Sequence, residues 1–212
     1  MRRTIPSPLP RAFYARPAVD LASALLGLHL MRETAEGRCG GVIVETEAYG
    51  GPADRASHAR AGRTARTAHM FGPPGHAYVY LVYGLHSCFN VVAETDGVAG
   101  AVLIRAMRPH LGLDLIRARR GRPGDTDERL AAGPARVCQA LAVDRTLDGH
   151  DLSLGEALWI EEPADQDREA MPLAGVASGP RIGVAYAGED WAKRPWRFGL
   201  RDDPSLSRPM PR

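Results

Sequence analysis

The sequence predicts an α+β domain organised around strands, and three observations carry that reading. Strand-like segments outnumber helical ones and do not alternate with them in β-α order. No G-x-G-x-x-G follows a strand, which argues against a dinucleotide-binding fold. With 212 residues, 44% of them apolar, the chain can bury a core without disulfide support. The cysteines, Cys39, Cys88 and Cys138, have no C-x-x-C spacing and suit a reducing compartment. The start MRRTIPSPLPRAF lacks the apolar core of a secretory signal, and no 18-residue apolar run offers a membrane span. A single domain over residues 1–212 is expected, with an arm at 1–16 and a tail at 199–212.

The elements follow in order. Pro17 opens a helix whose Val19, Ala22, Leu25 and Leu26 recur at helical spacing and which closes at Gly27. LHLMRE and GGVIVETEAY flank the turn-like TAEGR and read as a hairpin. Residues 50–75, rich in Gly, Arg, Ala and His, read as loop with a short helix. AYVYLVYG, CFNVVAE and AVLIRAM are strands. HLGLDLIRARRG is an amphipathic helix, RPGDTDE a loop, and ERLAAGPARVCQALAV two helical pieces divided at Gly133-Pro134. LSLGEALWIEE and RIGVAYA read as strands separated by the acidic stretch 162–178, and KRPWRFGLRDDPSLSRPMPR as a basic, proline-rich tail.

Four constellations carry chemistry. In VIVETEAYGG, Ile43, Glu45, Glu47 and Tyr49 share one strand face. Two acids there, roughly 7 Å apart, are costly to bury without compensation. Either they are solvated at a strand edge, or a buried glutamate serves as a general base for water. In YVYLVYG, Tyr78 and Tyr80 share a face while Tyr83 stands before Gly84. Three phenols either pack in the core with hydrogen-bond partners or form a surface on which flat rings stack. His58, His69, His76 and His86 lack the H-x-x-x-H or H-x-H spacing of a metal site; no metal and no cofactor is expected. The turns MFGPPGHAY and RAGR are not P-loops, but their amides, with Arg60, Arg63 and Arg66, suit a nucleic-acid backbone. The net charge of +2 identifies no partner. Lys193 is the only lysine, a bias that fits either coding composition or phosphate recognition by arginine. It leaves Schiff-base chemistry almost no nucleophile.

These pieces resemble one family: the alkyladenine (3-methyladenine or N-methylpurine) DNA glycosylases of the mammalian type, which also occur in bacteria. The matching stretches are LLG, VETEAY, the ASHAR–GRT region, MFGPPGHAYVYLVYGLHSCFNVV, AVLIRAMRP, GPARVCQAL and RIGVAYAGEDWAKRPWRF, in family order over most of the chain. The resemblance implies a single domain with a curved, mainly antiparallel, partly barrel-like sheet and surrounding helices. It implies excision of a damaged purine flipped from double-stranded DNA; the near-absence of lysine fits the lack of a lyase step, and a monomeric, cytoplasmic, nucleoid-associated bacterial enzyme is expected. By resemblance, Glu47 activates the attacking water, which Arg105 and the backbone carbonyl of Ile182 help hold. Tyr49, His58 and Tyr80 sandwich the flipped base, Tyr83 fills the vacated stack, and Asn90 crowds the amino group of a normal guanine. Tyr78, Arg60, Arg63 and Arg66 are further DNA-binding candidates. Leu85 and Tyr186 stand where relatives often carry methionine and histidine. A lesion-binding protein without hydrolysis and a metal-dependent hydrolase are the competing readings.

Overall fold

The computed structural model describes residues 7–121, 124–164 and 175–211. Residues 1–6 of the expected arm, 122–123 of the loop 122–128, 165–174 of the acidic stretch and Arg212 of the tail lie outside the described residues. Among those described, eight strands form one mainly antiparallel, open sheet: β1 (His29–Thr34), β2 (Gly37–Tyr49), β3 (Ala77–Val82), β4 (His86–Val92), β5 (Ala101–Leu111), β6 (Leu158–Glu161), β7 (Val176–Gly179) and β8 (Arg197–Leu200). The order is β3-β4-β5-β2-β1-β6, with β8 pairing β2 and β7 pairing β8. The α+β expectation holds.

β2 is the spine. Its run Val42, Ile43, Val44, Thr46 favours extended backbone, and its thirteen residues are long enough to take three partners. β5 pairs along its length; on the other edge β1 pairs as far as Val42 and β8 takes over at Glu45–Glu47. The acids therefore lie on an interior strand. The solvated-edge reading fails, since Glu45 and Glu47 expose no surface.

The helices are short: α1 (Arg11–Tyr14), α2 (Ala18–Ala24), α3 (Leu113–Arg120), α4 (Pro134–Ala140) and α5 (Glu189–Ala192). α2 begins after Pro17, and its first amide, of Ala18, donates to the Glu94 carboxylate at 2.9 Å, a negative group where the helix dipole favours one. It buries Leu21 in the main core, beside Leu25, Ile43, Phe89, Ile104 and Val137. Each such side chain contributes about 1.5–3 kcal/mol. Two satellite clusters flank that core. One joins Ala59, Met70, Tyr78 and Ala101, with Tyr80 packed on it. The other joins Ala56, Val184 and Ala187, with Tyr49 and Trp191.

Several elements differ from the sequence reading. RIGVAYA is not a strand: Gly183 takes φ 78°, and residues Ala185–Ala187 make a 3-10 turn. β7 lies in the stretch read as acidic loop, and β8 lies within the predicted tail. The piece before Gly133 is a 3-10 turn, Asp127–Arg129, instead of a helix. The strand expected over 152–162 is confined to β6. Residues 50–75 hold two 3-10 turns, His58–Ala61 and Ala68–Phe71.

Candidate active site

The register of β2 against β5 explains how the site is aimed. Ile43 faces Met107 and Glu45 faces Ala106, so Val44 is an extra residue on β2. Thr46 then faces Ile104, so Arg105 is an extra residue on β5. Such bulges bend a strand and redirect a side chain. The alternation read from the sequence thus runs from Glu45 to Tyr49 and is interrupted before it.

Arg105, freed from the regular register, reaches both acids. Its Nε donates to Glu45 Oε1 at 3.1 Å and its Nη1 to Glu47 Oε2 at 3.3 Å. Glu47 has two more donors: the Tyr49 hydroxyl to Oε2 at 2.8 Å and the Ile182 amide to Oε1 at 2.6 Å. Burial nevertheless pushes the Glu47 carboxyl above its ordinary range, against the pull of Arg105, the Ile182 amide and Tyr49. Tyr49, donating to a carboxylate in a buried setting, is held well above the usual phenol range.

Beside this carboxylate opens a pocket of about 660 Å³. Tyr49, Arg105 and Ile182, the three residues that grip Glu47, line it together with His58, Tyr80 and Asn90. The His58 ring stands edge-on to Tyr80, centroids 4.6 Å apart, and its Nδ1 pairs with the Tyr78 hydroxyl at 3.0 Å. Burial and the nearby Arg66 lower the His58 pKa, which favours a neutral imidazole. Tyr78 and Asn90 face one another across β3 and β4, and the Asn90 amide donates to the Tyr78 carbonyl at 3.1 Å.

At the mouth, β3 turns into β4 through Tyr83 and Gly84, with φ of 51° and 69°, and the Leu85 amide closes on the Val82 carbonyl at 3.1 Å. Two successive positive φ values suit a tight hairpin. A tyrosine held there costs about 1–2 kcal/mol, and it is 92% exposed.

The far wall is a strap, residues 181–186, fixed by a buried ion pair. Arg181 donates to Asp54 at 2.6 and 3.0 Å and to the Ala48 carbonyl at 2.9 Å. Its guanidinium lies against Tyr49 and Trp196, 4.9 and 5.0 Å from the ring centroids. Asp54 also accepts from the amides of Gly50 and Ala56. One pair therefore ties the end of β2, the loop carrying His58 and the strap carrying Ile182.

A fully buried glutamate, gripped by three residues that line an aromatic pocket, suits water-activated cleavage at a flat heterocycle. Comparison with known sequences specifies the family: the profile described as Methylpurine-DNA glycosylase (MPG) matches residues 12–204. This chain belongs to that family. A putative 3-methyladenine DNA glycosylase of Anaeromyxobacter dehalogenans is 50% identical over 96% of this chain and 88% of its own length. The DNA-3-methyladenine glycosylase of Homo sapiens is 42% identical over 92% of this chain and 66% of its own length. With the family comes the class of reaction, hydrolysis of an N-glycosyl bond in DNA repair.

Within this methylpurine-DNA glycosylase chain, the sequence-derived candidates Glu47, Tyr49, His58, Tyr80, Asn90, Arg105 and Ile182 come together. The contact seen for Ile182 is through its amide rather than its carbonyl. Tyr83 and Arg66 reach the same pocket, Arg66 with its guanidinium 5.6 Å from the Tyr80 ring centroid. Tyr78, 1% exposed, lines the pocket as well, with its hydroxyl paired to His58. Arg60 and Arg63 are exposed and lie outside the pocket lining. Among the described residues no three His, Cys, Asp or Glu side chains are grouped to hold a metal, and no helix is long and apolar enough to cross a membrane. The partners of the two acids, Arg197 and Ser207, and the Asp54–Arg181 clamp carry no local sequence signal, because they join positions more than 120 residues apart. Tyr186, noted only as a departure, lines the pocket and donates to the Ala56 carbonyl at 3.0 Å.

Proposed function

We propose that this enzyme flips alkylated or deaminated purines out of duplex DNA and hydrolyses the N-glycosidic bond with water activated by Glu47, leaving an abasic site. The observation that carries the reading is the buried Glu47, its proton affinity raised by burial, beside an aromatic pocket large enough to admit a flipped nucleoside. In its ionised form Glu47 takes a proton from water as the water oxygen attacks the anomeric carbon and the base departs. Tyr49 and the Ile182 amide hold the carboxylate in place, and Arg105 with the Ile182 carbonyl orients the water. Tyr49, His58 and Tyr80 stack on the flipped base, with a further cation–π attraction when alkylation has made it positive. Asn90 discriminates against the amino group of normal guanine, and Tyr83 enters the vacated place in the duplex. Arg60, Arg63 and Arg66 supply phosphate contacts, and the enzyme acts as a monomer. A binding protein that only flips bases has no use for a buried carboxylate, whose desolvation is costly.

Lys193 is exposed, pairs with Glu189 and is absent from the pocket lining, which supports a monofunctional mechanism. The test is a panel of duplexes carrying 3-methyladenine, 7-methylguanine, hypoxanthine or ethenoadenine, incubated with and without EDTA. Base release that persists in EDTA, strand cleavage only after alkali, and no borohydride-trapped adduct are expected. Binding without release would support the lesion-binding alternative, and loss of activity in EDTA the metal-dependent one.

A further inference from the structure

Glu45 is the buried titratable group that this mechanism leaves unused, and it has no less contact than its neighbour. Its side chain exposes nothing. Oε1 accepts from Arg105 Nε at 3.1 Å and from the Ser207 hydroxyl at 2.9 Å, with Arg197 Nε at 3.0 Å. Oε2 accepts the Ser207 amide at 2.6 Å. Arg197 in turn donates through Nη2 to the carbonyls of Arg208 and Pro209, at 2.6 and 2.9 Å. The C-terminal segment is thus folded back onto the catalytic strand by one carboxylate and one guanidinium.

A guanidinium is planar and rigid, so fixing one nitrogen fixes the direction of the others. With Nε of Arg105 on Glu45, Nη1 is delivered to Glu47 and Nη2 lies 3.4 Å from the Ser207 hydroxyl. The charges balance as two carboxylates against two arginines, all buried. We infer that Glu45 is a positioning residue for base excision: it orients Arg105 toward Glu47, with Ser207 and Arg197 of the C-terminal segment completing the device. This rests on Glu47 being the water-activating base.

Removing the Glu45 charge leaves Arg197 without its carboxylate and Arg105 with Glu47 alone. The groups around Glu47 are Arg105 from β5, Tyr49 and Glu45 from β2 and the Ile182 amide from the strap; Tyr80, Cys88 and Tyr186 sense it from across the pocket. The Glu45 charge raises the proton affinity of Glu47 and Arg105 lowers it. Without Glu45 that repulsion is lost, and so is the aim of Arg105, whose pull on Glu47 is the larger of the two; the acid limb of the rate profile moves to higher pH.

The experiment measures single-turnover kinetics and pH profiles for wild type, Glu47→Gln, Glu45→Gln and Ser207→Ala. The expected result for Glu45→Gln is a roughly 10- to 100-fold lower maximal rate, with half-saturating DNA concentration unchanged and the acid limb displaced upward. Ser207→Ala keeps the backbone N–H hydrogen bond to Glu45 and serves where Glu45→Gln does not fold; the same split, several-fold in rate, is expected. Wild-type rate and acid limb in the folded variants, with only thermal stability lost, would overturn the inference. Failure of the underlying reading looks different: Glu47→Gln then releases base as fast as wild type.

Discussion

Two buried charged groups anchor the same pocket and are built on opposite principles. Asp54–Arg181 is one acid against one base, its carboxylate also capped by the amides of Gly50 and Ala56. It holds three segments at fixed positions and keeps no charge in reserve. The group around β2 sets Glu45 and Glu47 against Arg105 and Arg197. There one member, Glu47, is left with a raised proton affinity and with neighbours that open on the pocket. The first is a clamp made for the fold. The second accepts an unfavourable carboxylate where chemistry needs one. Neither burial nor charge balance separates them, because both are hidden and both are balanced; the raised proton affinity of Glu47 and the pocket beside its partners do.

That contrast can be broken at either end. The largest effect on stability is expected from Asp54→Ala, which strands Arg181 in the interior and costs about 3–5 kcal/mol, read as a fall in the denaturant midpoint. A loss below 1 kcal/mol would mean that the clamp is dispensable. Next comes Tyr83→Asn. Asparagine tolerates positive φ, so stability should hold or rise slightly while lesion-duplex binding weakens by about 1–3 kcal/mol and single-strand binding changes less. Equal losses on both substrates would remove Tyr83 from the wedge role. The smallest effect is expected from Tyr186→Phe, which loses one hydrogen bond to the Ala56 carbonyl and about 0.5–1.5 kcal/mol of stability.

Glu47 binds its proton more tightly in the folded chain than in the unfolded one. Its contribution to stability is therefore present below the ordinary glutamate range and is lost as pH rises through the raised folded value. Excision runs the other way, since only the ionised form accepts a proton from water. The rate should climb with pH along a limb lying above the ordinary glutamate range; a limb within it would contradict the raised affinity of Glu47.

How much of this was legible in the sequence follows from how local each signal is. VETEAY states that two acids and a tyrosine share a face, and the bulges leave that statement intact from Glu45 onward. The family resemblance separated Glu47 from Glu45. Neither bulge was visible, because register belongs to the pairing of β2 with β5 rather than to either strand. RIGVAYA looks extended by composition, yet Arg181 is claimed by Asp54 and Gly183 turns the chain. β8 was missed for the converse reason: it is four residues long, and Arg197 on it points at a buried acid. Distant ion pairs leave no periodicity to read.

Glu47 is carried for chemistry at the fold's expense. This is tested most directly by measuring excision and stability on one variant, Glu47→Gln. Single-turnover base release is expected to fall by about 10²- to 10⁴-fold while lesion-duplex affinity is kept and thermal stability near neutral pH is unchanged or higher. Base release at the wild-type rate, or a collapse of stability that parallels the loss of rate, would contradict it.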